Sequence, residues 1–309
     1  MSVSYIDCSP FMYDLLREEN VSDFELRTYV GDPTPEQIPE LVKGCRVVLN
    51  GHTMMDADVL DRCPEVRHII FLGTGASSYI DIAAATERKI EVHTIKGYGD
   101  RSIAEHTFGL LLAAARRIVQ MDTDLRHGIW HPQEGLELAS ATLGIIGCGG
   151  IGRSLVQIAQ AFGMHVQIWN RSVLPEPFSS LQADFSTVVS QSDVVSLHLG
   201  YNDQTRHIIG EHELAMMKPG SILVNTARGG LVDTEALIAA LQRQQSVHHA
   251  ALDVYETEPL DGDHPLLQLP NVTLTAHAAF KTKAASRRLL CTALQRAQGV
   301  LSDKASSVS

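Results

Sequence analysis

TLGIIGCGGIGRSLVQIAQAFGMHVQIWNRS, residues 142–172, reads as a short apolar strand, a glycine-rich turn, an amphipathic helix and a second strand. The turn Gly147-Cys148-Gly149-Gly150-Ile151-Gly152 fits G-x-G-x-x-G, and its setting between strand and helix gives the pattern its meaning. Gly147 permits the tight turn, Gly149 lets backbone approach a pyrophosphate, and Gly152 lets helix pack on strand. Unpaired N–H groups at the start of the helix then present a positive dipole end to phosphate. A nicotinamide dinucleotide is the ligand this unit predicts, held along Gly147, Gly149, Gly150, Ile151 and Gly152.

The second strand ends at Asn170-Arg171-Ser172, where an NAD-specific unit is expected to carry Asp or Glu for the ribose hydroxyls. A carboxylate there would repel a 2′-phosphate. Arg171 instead offers a planar, charged fork to it, and Ser172 offers a hydroxyl. NADP is therefore expected in preference to NAD.

Outward from this unit, further strands alternate with helices. On the N-terminal side lie 46–50 (RVVLN), 68–73 (HIIFLG) and 91–95 (EVHTI), with a helix over 81–89 and a Pro-rich loop over 31–40. On the C-terminal side, 193–199, 221–227, 248–254 and 271–277 read as strands and 234–244 as a helix; the tail from Lys281 to Leu301 is helical. Such alternation implies crossover connections and parallel sheets. Residues 102–128 form one long amphipathic helix in this reading. Its wide apolar face (Ile103, Phe108, Leu111, Leu112, Ala115, Ile118, Val119) calls for more than one packing partner.

At 309 residues, two domains are expected. A formal net charge of −11 works against nucleic-acid binding, which needs Lys and Arg to neutralise phosphates. No apolar run reaches membrane-spanning length, and the N-terminus lacks the pattern of a signal peptide. Five scattered cysteines without a C-x-x-C pair fit a reducing cytosol, so the protein is expected to be cytoplasmic. Fourteen histidines show no ligand cluster at helical spacing, so no metal is expected.

Three strand ends carry chemistry, which is where open α/β sheets place their ligands. Asn225-Thr226-Ala227-Arg228-Gly229-Gly230 supplies an arginine among small residues. Asp253-Val254-Tyr255-Glu256-Thr257-Glu258-Pro259 supplies carboxylates, and Thr275-Ala276-His277-Ala278-Ala279 supplies an imidazole. An arginine can bind a carboxylate and polarise a neighbouring carbonyl. A histidine can protonate the oxygen as hydride arrives, and an acid can orient the ring. The set suits reduction of a 2-oxo acid.

These segments, with Ser102-Ile103-Ala104-Glu105-His106-Thr107 and Asn271 to His277, resemble in order the signatures of the D-isomer-specific 2-hydroxyacid dehydrogenase family. The resemblance runs through most of the chain. It implies Arg228, Glu258 and His277 as the catalytic set, with Glu258 at the acid position before Pro259. It also implies Asp253 on the nicotinamide carboxamide and further cofactor contacts at His198, Thr226, Ala227 and Ala279, beside Asn170, Arg171 and Ser172. Backbone amides of Gly75 and Ala76, with Arg228 and His277, would bind substrate. The implied fold is two Rossmann-like domains, each a doubly wound parallel sheet, with the active site in the cleft between them. Residues 100–280 would bind NAD(P), and 1–99 with 281–309 would form a flavodoxin-like substrate domain. The family further implies a homodimer through 102–128. Arg171 and the run from His277 to Thr282 look most similar to the glyoxylate/hydroxypyruvate reductase branch. Ala76, Lys96, Gly200 and Ala276 depart from the family pattern without removing a catalytic group. A dinucleotide-sensing corepressor on the same fold is the alternative, because such proteins can keep the catalytic residues.

Overall fold

The computed structural model describes residues 2–19 and 24–302. It divides into two compact units, Met1–Gly99 with Thr282–Ser309, and Asp100–Lys281. The break beside Lys281 falls one residue later than the sequence suggests, and the last seven residues of the chain lie outside the described ones.

The first unit contains β1 (Ser2–Cys8), α1 (Pro10–Glu18), β2 (Glu25–Val30), α2 (Ile38–Val42), β3 (Cys45–Asn50), α3 (Ala57–Asp61), β4 (His68–Phe71), α4 (Ile82–Glu87) and β5 (Glu91–Thr94). All strand pairs are parallel, in the order β2-β1-β3-β4-β5. Local chemistry sets the helix starts. Ser9 caps α1 through its hydroxyl, followed by Pro10, while Asp56 and Asp81 cap α3 and α4. The Pro-rich loop expected over 31–40 is cut short, because α2 begins at Ile38 and accommodates Pro39 in its first turn.

The second unit opens with α5 (Asp100–Ala115) and α6 (Ile118–Arg126). It continues with β6 (Thr142–Ile146), α7 (Gly150–Ala161), β7 (His165–Trp169), α8 (Phe185–Gln191), β8 (Val194–Leu197), α9 (Glu211–Met216), β9 (Ser221–Asn225), α10 (Thr234–Arg243), β10 (Val247–Leu252) and β11 (Val272–Leu274). The final helix, α11 (Lys283–Ser302), returns to the first unit and buries Leu289, Leu290, Ala293 and Ala297 there.

All six strands of the second sheet are parallel, in the order β11-β10-β9-β8-β6-β7. Residues of the four inner strands, β6, β8, β9 and β10, are buried almost throughout, because helices cover both faces. Leu143, Ile145 and Val224 pack with Phe108, Leu111 and Leu155 on one face. Ile146, Leu197 and Leu223 pack with Val188, Leu237 and Leu241 on the other. From β6 the chain runs outward to β7 and then crosses to β8 on the opposite side. The direction of winding therefore reverses beside β6, and the crevice at its carboxyl end is the ligand position of a doubly wound sheet.

The long helix expected over 102–128 is two helices. Arg117 takes a left-handed backbone conformation (φ 53°) and turns its guanidinium onto Nδ1 of His249, 3.2 Å away, and onto His248. The break also redistributes the apolar face. Phe108, Leu111 and Ala115 are buried inside the unit, whereas Ile118 and Val119 are about half exposed.

Candidate active site

The crevice beside β6 is shaped by glycine. Gly147 has φ +95°, and a Cβ there would stand 2.8 Å from the carbonyl oxygen of His198. At Gly152 a Cβ would stand 2.6 Å from the carbonyl oxygen of Gly147, so the start of α7 can sit against the turn only with glycine present. Gly149 is the N-cap of α7 and has no protein atom within 4 Å of a notional Cβ. Gly150, the next residue, lies against the carboxylate of Asp100, which leaves no room for a larger side chain.

Asn170 ties this turn to the end of β7. Its Oδ1 accepts from the amide of Cys148 (3.1 Å), and its Nδ2 donates to the carbonyl and hydroxyl of Ser172 (2.9 and 3.1 Å). Arg171 is exposed, and among the described residues its guanidinium has no hydrogen bond or ion pair. At the end of β8, Nε2 of His198 lies 2.9 Å from the hydroxyl of Ser196. Its Nδ1 is buried without a partner among the described residues, and burial pulls the imidazole down to about 4, which keeps it neutral. A glycine cradle at a helix N-terminus and an orphaned buried nitrogen fit a dinucleotide.

Arg228 follows β9 in an extended conformation, and Nη1 donates to the carbonyl of Ala227 (2.6 Å). The side chain of Asn225 holds the same loop by accepting from the amide of Ala227 and donating to the carbonyl of Arg228. Thr226, just ahead of Ala227, is buried, and its hydroxyl meets that of Thr107 on α5 at 2.7 Å.

His277 stands beyond β11 with φ +48°, an uncommon conformation for a residue with a Cβ. Its Nδ1 lies 2.6 Å from Oε2 of Glu258, and the amide of Tyr255 donates to Oε1 of the same carboxylate (2.9 Å). The imidazole is 40% exposed, and Nε2 makes no protein hydrogen bond among the described residues. The carboxylate partner of His277 is therefore Glu258. Glu256 turns away to the amide and hydroxyl of Thr234.

Asp253 stands just beyond β10, held among protein donors. Its side chain is fully buried, and both oxygens accept from protein donors. Oδ1 takes the hydroxyl of Thr275 (2.6 Å) and the amide of Ala278 (2.9 Å), and Oδ2 takes the amide of Ala279 (2.9 Å). His106 on α5 completes the cluster, with Nε2 3.0 Å from Thr275 Oγ1 and 3.4 Å from Asp253 Oδ1. The backbone carbonyl of Asp253 accepts from the amide of His277 (2.8 Å). Burial alone would raise this carboxyl, but the hydrogen bonds from His106, Thr275 and the two amides outweigh it and bring it down to about 2. Asp253 thus anchors the loop that carries His277, and the amide of Ala279 is committed to that anchor.

Sequence reasoning missed Thr275, His106 and Tyr255 as parts of this site. Tyr255 donates its hydroxyl to the carbonyl of Thr275 at 2.8 Å. Thr275 and Tyr255 stand two residues from His277 and Asp253, a usable signal, whereas His106 is brought in only by the packing of α5. In the first unit, Gly75 and Ala76 stand beyond β4, where a 3-10 turn runs over Ala76–Ser78.

Residues 108–279 match the family model for D-isomer specific 2-hydroxyacid dehydrogenase, NAD binding domain. The chain is similar to a glyoxylate reductase of Aeropyrum pernix, 41% identical over 247 residues that make up 76% of this chain and 73% of that one. It is also similar to a D-3-phosphoglycerate dehydrogenase of Methanocaldococcus jannaschii, 38% identical over 276 residues. That match covers 87% of this chain but 52% of the relative, so the chain spans about half of its length. Among solved structures, an acyclic imino acid reductase (Bsp5) in complex with NADPH and D-Arg has a TM-score of 0.85 at 27% identity, covering 98% of both chains.

The low-lying Asp253 carboxyl makes a stability prediction. Its folded value lies below the unfolded one, so its contribution is present above about pH 4 and is lost as pH falls toward about 2. Relative to Asp253→Asn, the native protein should lose about 2 kcal/mol of unfolding free energy across that window. Denaturant titrations at several pH values check this; a difference independent of pH contradicts it.

Proposed function

The chain belongs to the D-isomer specific 2-hydroxyacid dehydrogenase family, and on that premise we propose an NADPH-preferring reductase that converts a small 2-oxo acid, glyoxylate- or hydroxypyruvate-like, to its (R)-2-hydroxy acid. That it is a nicotinamide-dinucleotide-dependent dehydrogenase follows from membership. The reaction balances as 2-oxo acid + NADPH + H+ → 2-hydroxy acid + NADP+.

The observation that carries the reading is the His277–Glu258 contact at 2.6 Å. Glu258 on Nδ1 fixes the ring's orientation, which leaves Nε2 to deliver the proton to the substrate carbonyl. Arg228 binds the substrate carboxylate and polarises the adjacent carbonyl, and the amides of Gly75 and Ala76 donate to the same carboxylate. A dinucleotide held by its pyrophosphate along Gly147 to Gly152 would supply the hydride from its reduced nicotinamide. Arg171 and Ser172, beside Asn170, hold its 2′-phosphate, His198, Thr226, Ala227 and Ala279 line the cofactor, and Asp253 meets the nicotinamide carboxamide. Five free thiols, four of them buried, support work in a reducing compartment. Among the described residues, no helix is long and apolar enough to cross a membrane.

A second copy of the chain is the proposed partner, through 102–128, of the apolar residues left uncovered on α6 and just beyond it. Ile118, Val119, Leu125 and Ile129 are about half exposed and Trp130 is 84% exposed, a concentration that marks an interaction surface.

Three outcomes are expected. His277→Ala lowers kcat by about 10²–10⁴-fold while NADPH binding, followed by fluorescence, stays near wild type; wild-type turnover overturns the mechanism. Arg171→Ala raises KM for NADPH by about 10-fold or more and leaves KM for NADH nearly unchanged, so equal effects on both cofactors sink the phosphate assignment. Light scattering at micromolar concentration gives the mass of a dimer, and a monomeric mass refutes the surface proposed for it.

A further inference from the structure

Strand pairing in the first unit brings together three metal-binding side chains that the reductase chemistry does not use. The parallel register sets His68 of β4 opposite Glu91 of the edge strand β5, and Ile70 opposite His93. Residues two apart on a strand share a face, so His68, Glu91 and His93 project from the same side of the sheet. Their ligand atoms converge. Nδ1 of His68 lies 3.3 Å from Nε2 of His93 and 3.5 Å from Oε2 of Glu91, and that oxygen lies 3.7 Å from Nε2 of His93. One atom from each residue thus faces a common point. An imidazole pair sharing a hydrogen bond accounts for the first distance alone.

The spacing discriminates between coordination geometries. Zinc bonds to histidine nitrogen and carboxylate oxygen are about 2.0–2.2 Å, so tetrahedral ligands stand about 3.3–3.6 Å apart. Octahedral neighbours at similar bond lengths stand only about 3.0 Å apart. Sides of 3.3 and 3.5 Å fall in the tetrahedral range, and the third, 3.7 Å, lies just beyond it, on the side away from the octahedral value. The charge balance is also suitable, because two neutral imidazoles and one carboxylate carry a net negative charge toward the ion. Arg296 of α11 acts on His93 and opposes a cation, and the Glu91 carboxylate offsets it. The imidazoles of His68 and His93 are 8% and 18% exposed, whereas the Glu91 side chain is 68% exposed and gives an ion its route from solvent.

We propose that His68, Glu91 and His93 form a binding site for a divalent cation of zinc type, with three protein ligands and a fourth position for solvent. The site clips the edge strand β5 to β4, and binding to the folded state stabilises that edge. The absence of a metal expected from the sequence does not hold under this assignment. The ligands come from two strands, 25 residues apart at the extremes, so a search at helical spacing passes over them.

The test uses the full chain freed of metal by a chelator and titrated with Zn2+ by calorimetry, then with Co2+ by visible absorption. One equivalent of Zn2+ binds, Co2+ gives the intense bands of tetrahedral coordination, and Zn2+ raises Tm. Because His68 is buried and its replacement can disturb folding, His93→Gln and Glu91→Gln carry the test. Each weakens Zn2+ binding by about tenfold or more, with reductase turnover retained. Absence of stoichiometric binding overturns the proposal, and so does undiminished binding in both variants, which places the ion elsewhere among the histidines.

Discussion

The candidate site depends on a buried carboxylate, that of Asp253, which ties the loop beyond β11 to the neighbouring strand. It stands at the end of β10, and its two oxygens accept from the hydroxyl of Thr275 and the amides of Ala278 and Ala279. A buried anion is costly unless its oxygens are satisfied. Satisfying them fixes the course of the chain beyond β11. His277 is held between these anchors with a left-handed backbone. That conformation costs of order 1–3 kcal/mol and persists only where its surroundings over-determine it. The strain aims the imidazole at Glu258, so stability and chemistry are written into the same hydrogen bonds.

The sheet supplies the frame for this arrangement. Six parallel strands covered on both faces bring the segments after β6, β8, β9, β10 and β11 to one edge. The glycine-rich turn, His198, Arg228, Asp253 and His277 belong to those segments. Close packing then sets their spacing. Gly147 and Gly152 admit backbone contacts that any Cβ would prevent, and Gly229 allows its loop to pass against the backbone of Tyr255 and Glu256. Binding chemistry and reaction chemistry share one edge because a parallel sheet ends all its strands the same way.

Much of this was legible in the sequence because the signals are local. The strand, glycine turn and helix after Thr142 lie within about thirty residues, and the apolar runs of β8 and β9 announce strands buried on both faces. Choosing Glu258 over Glu256 needed the family resemblance, and the hydrogen bond to His277 gives that choice a geometry. What the sequence left out shares a physical reason. The helix break at Arg117 is set by His248 and His249, more than 130 residues away. The network around Asp253 draws on His106 and on a loop beyond the next strand. The His68–Glu91–His93 triangle exists only once β4 and β5 are in register. Periodicity reports which face a residue takes, but not which distant residue meets it there.

The central claim is direct hydride transfer from the reduced dinucleotide to the C2 carbon of a 2-oxo acid. NADPH deuterated at C4 of the nicotinamide, on each face in turn, can be incubated with glyoxylate, hydroxypyruvate and pyruvate, and the products examined by mass spectrometry and chiral chromatography. The account predicts that one labelled face delivers deuterium to C2 and that, where C2 is stereogenic, the product is the (R)-2-hydroxy acid. Oxidation of NADPH without label in the product, or a product of (S) configuration, would contradict it.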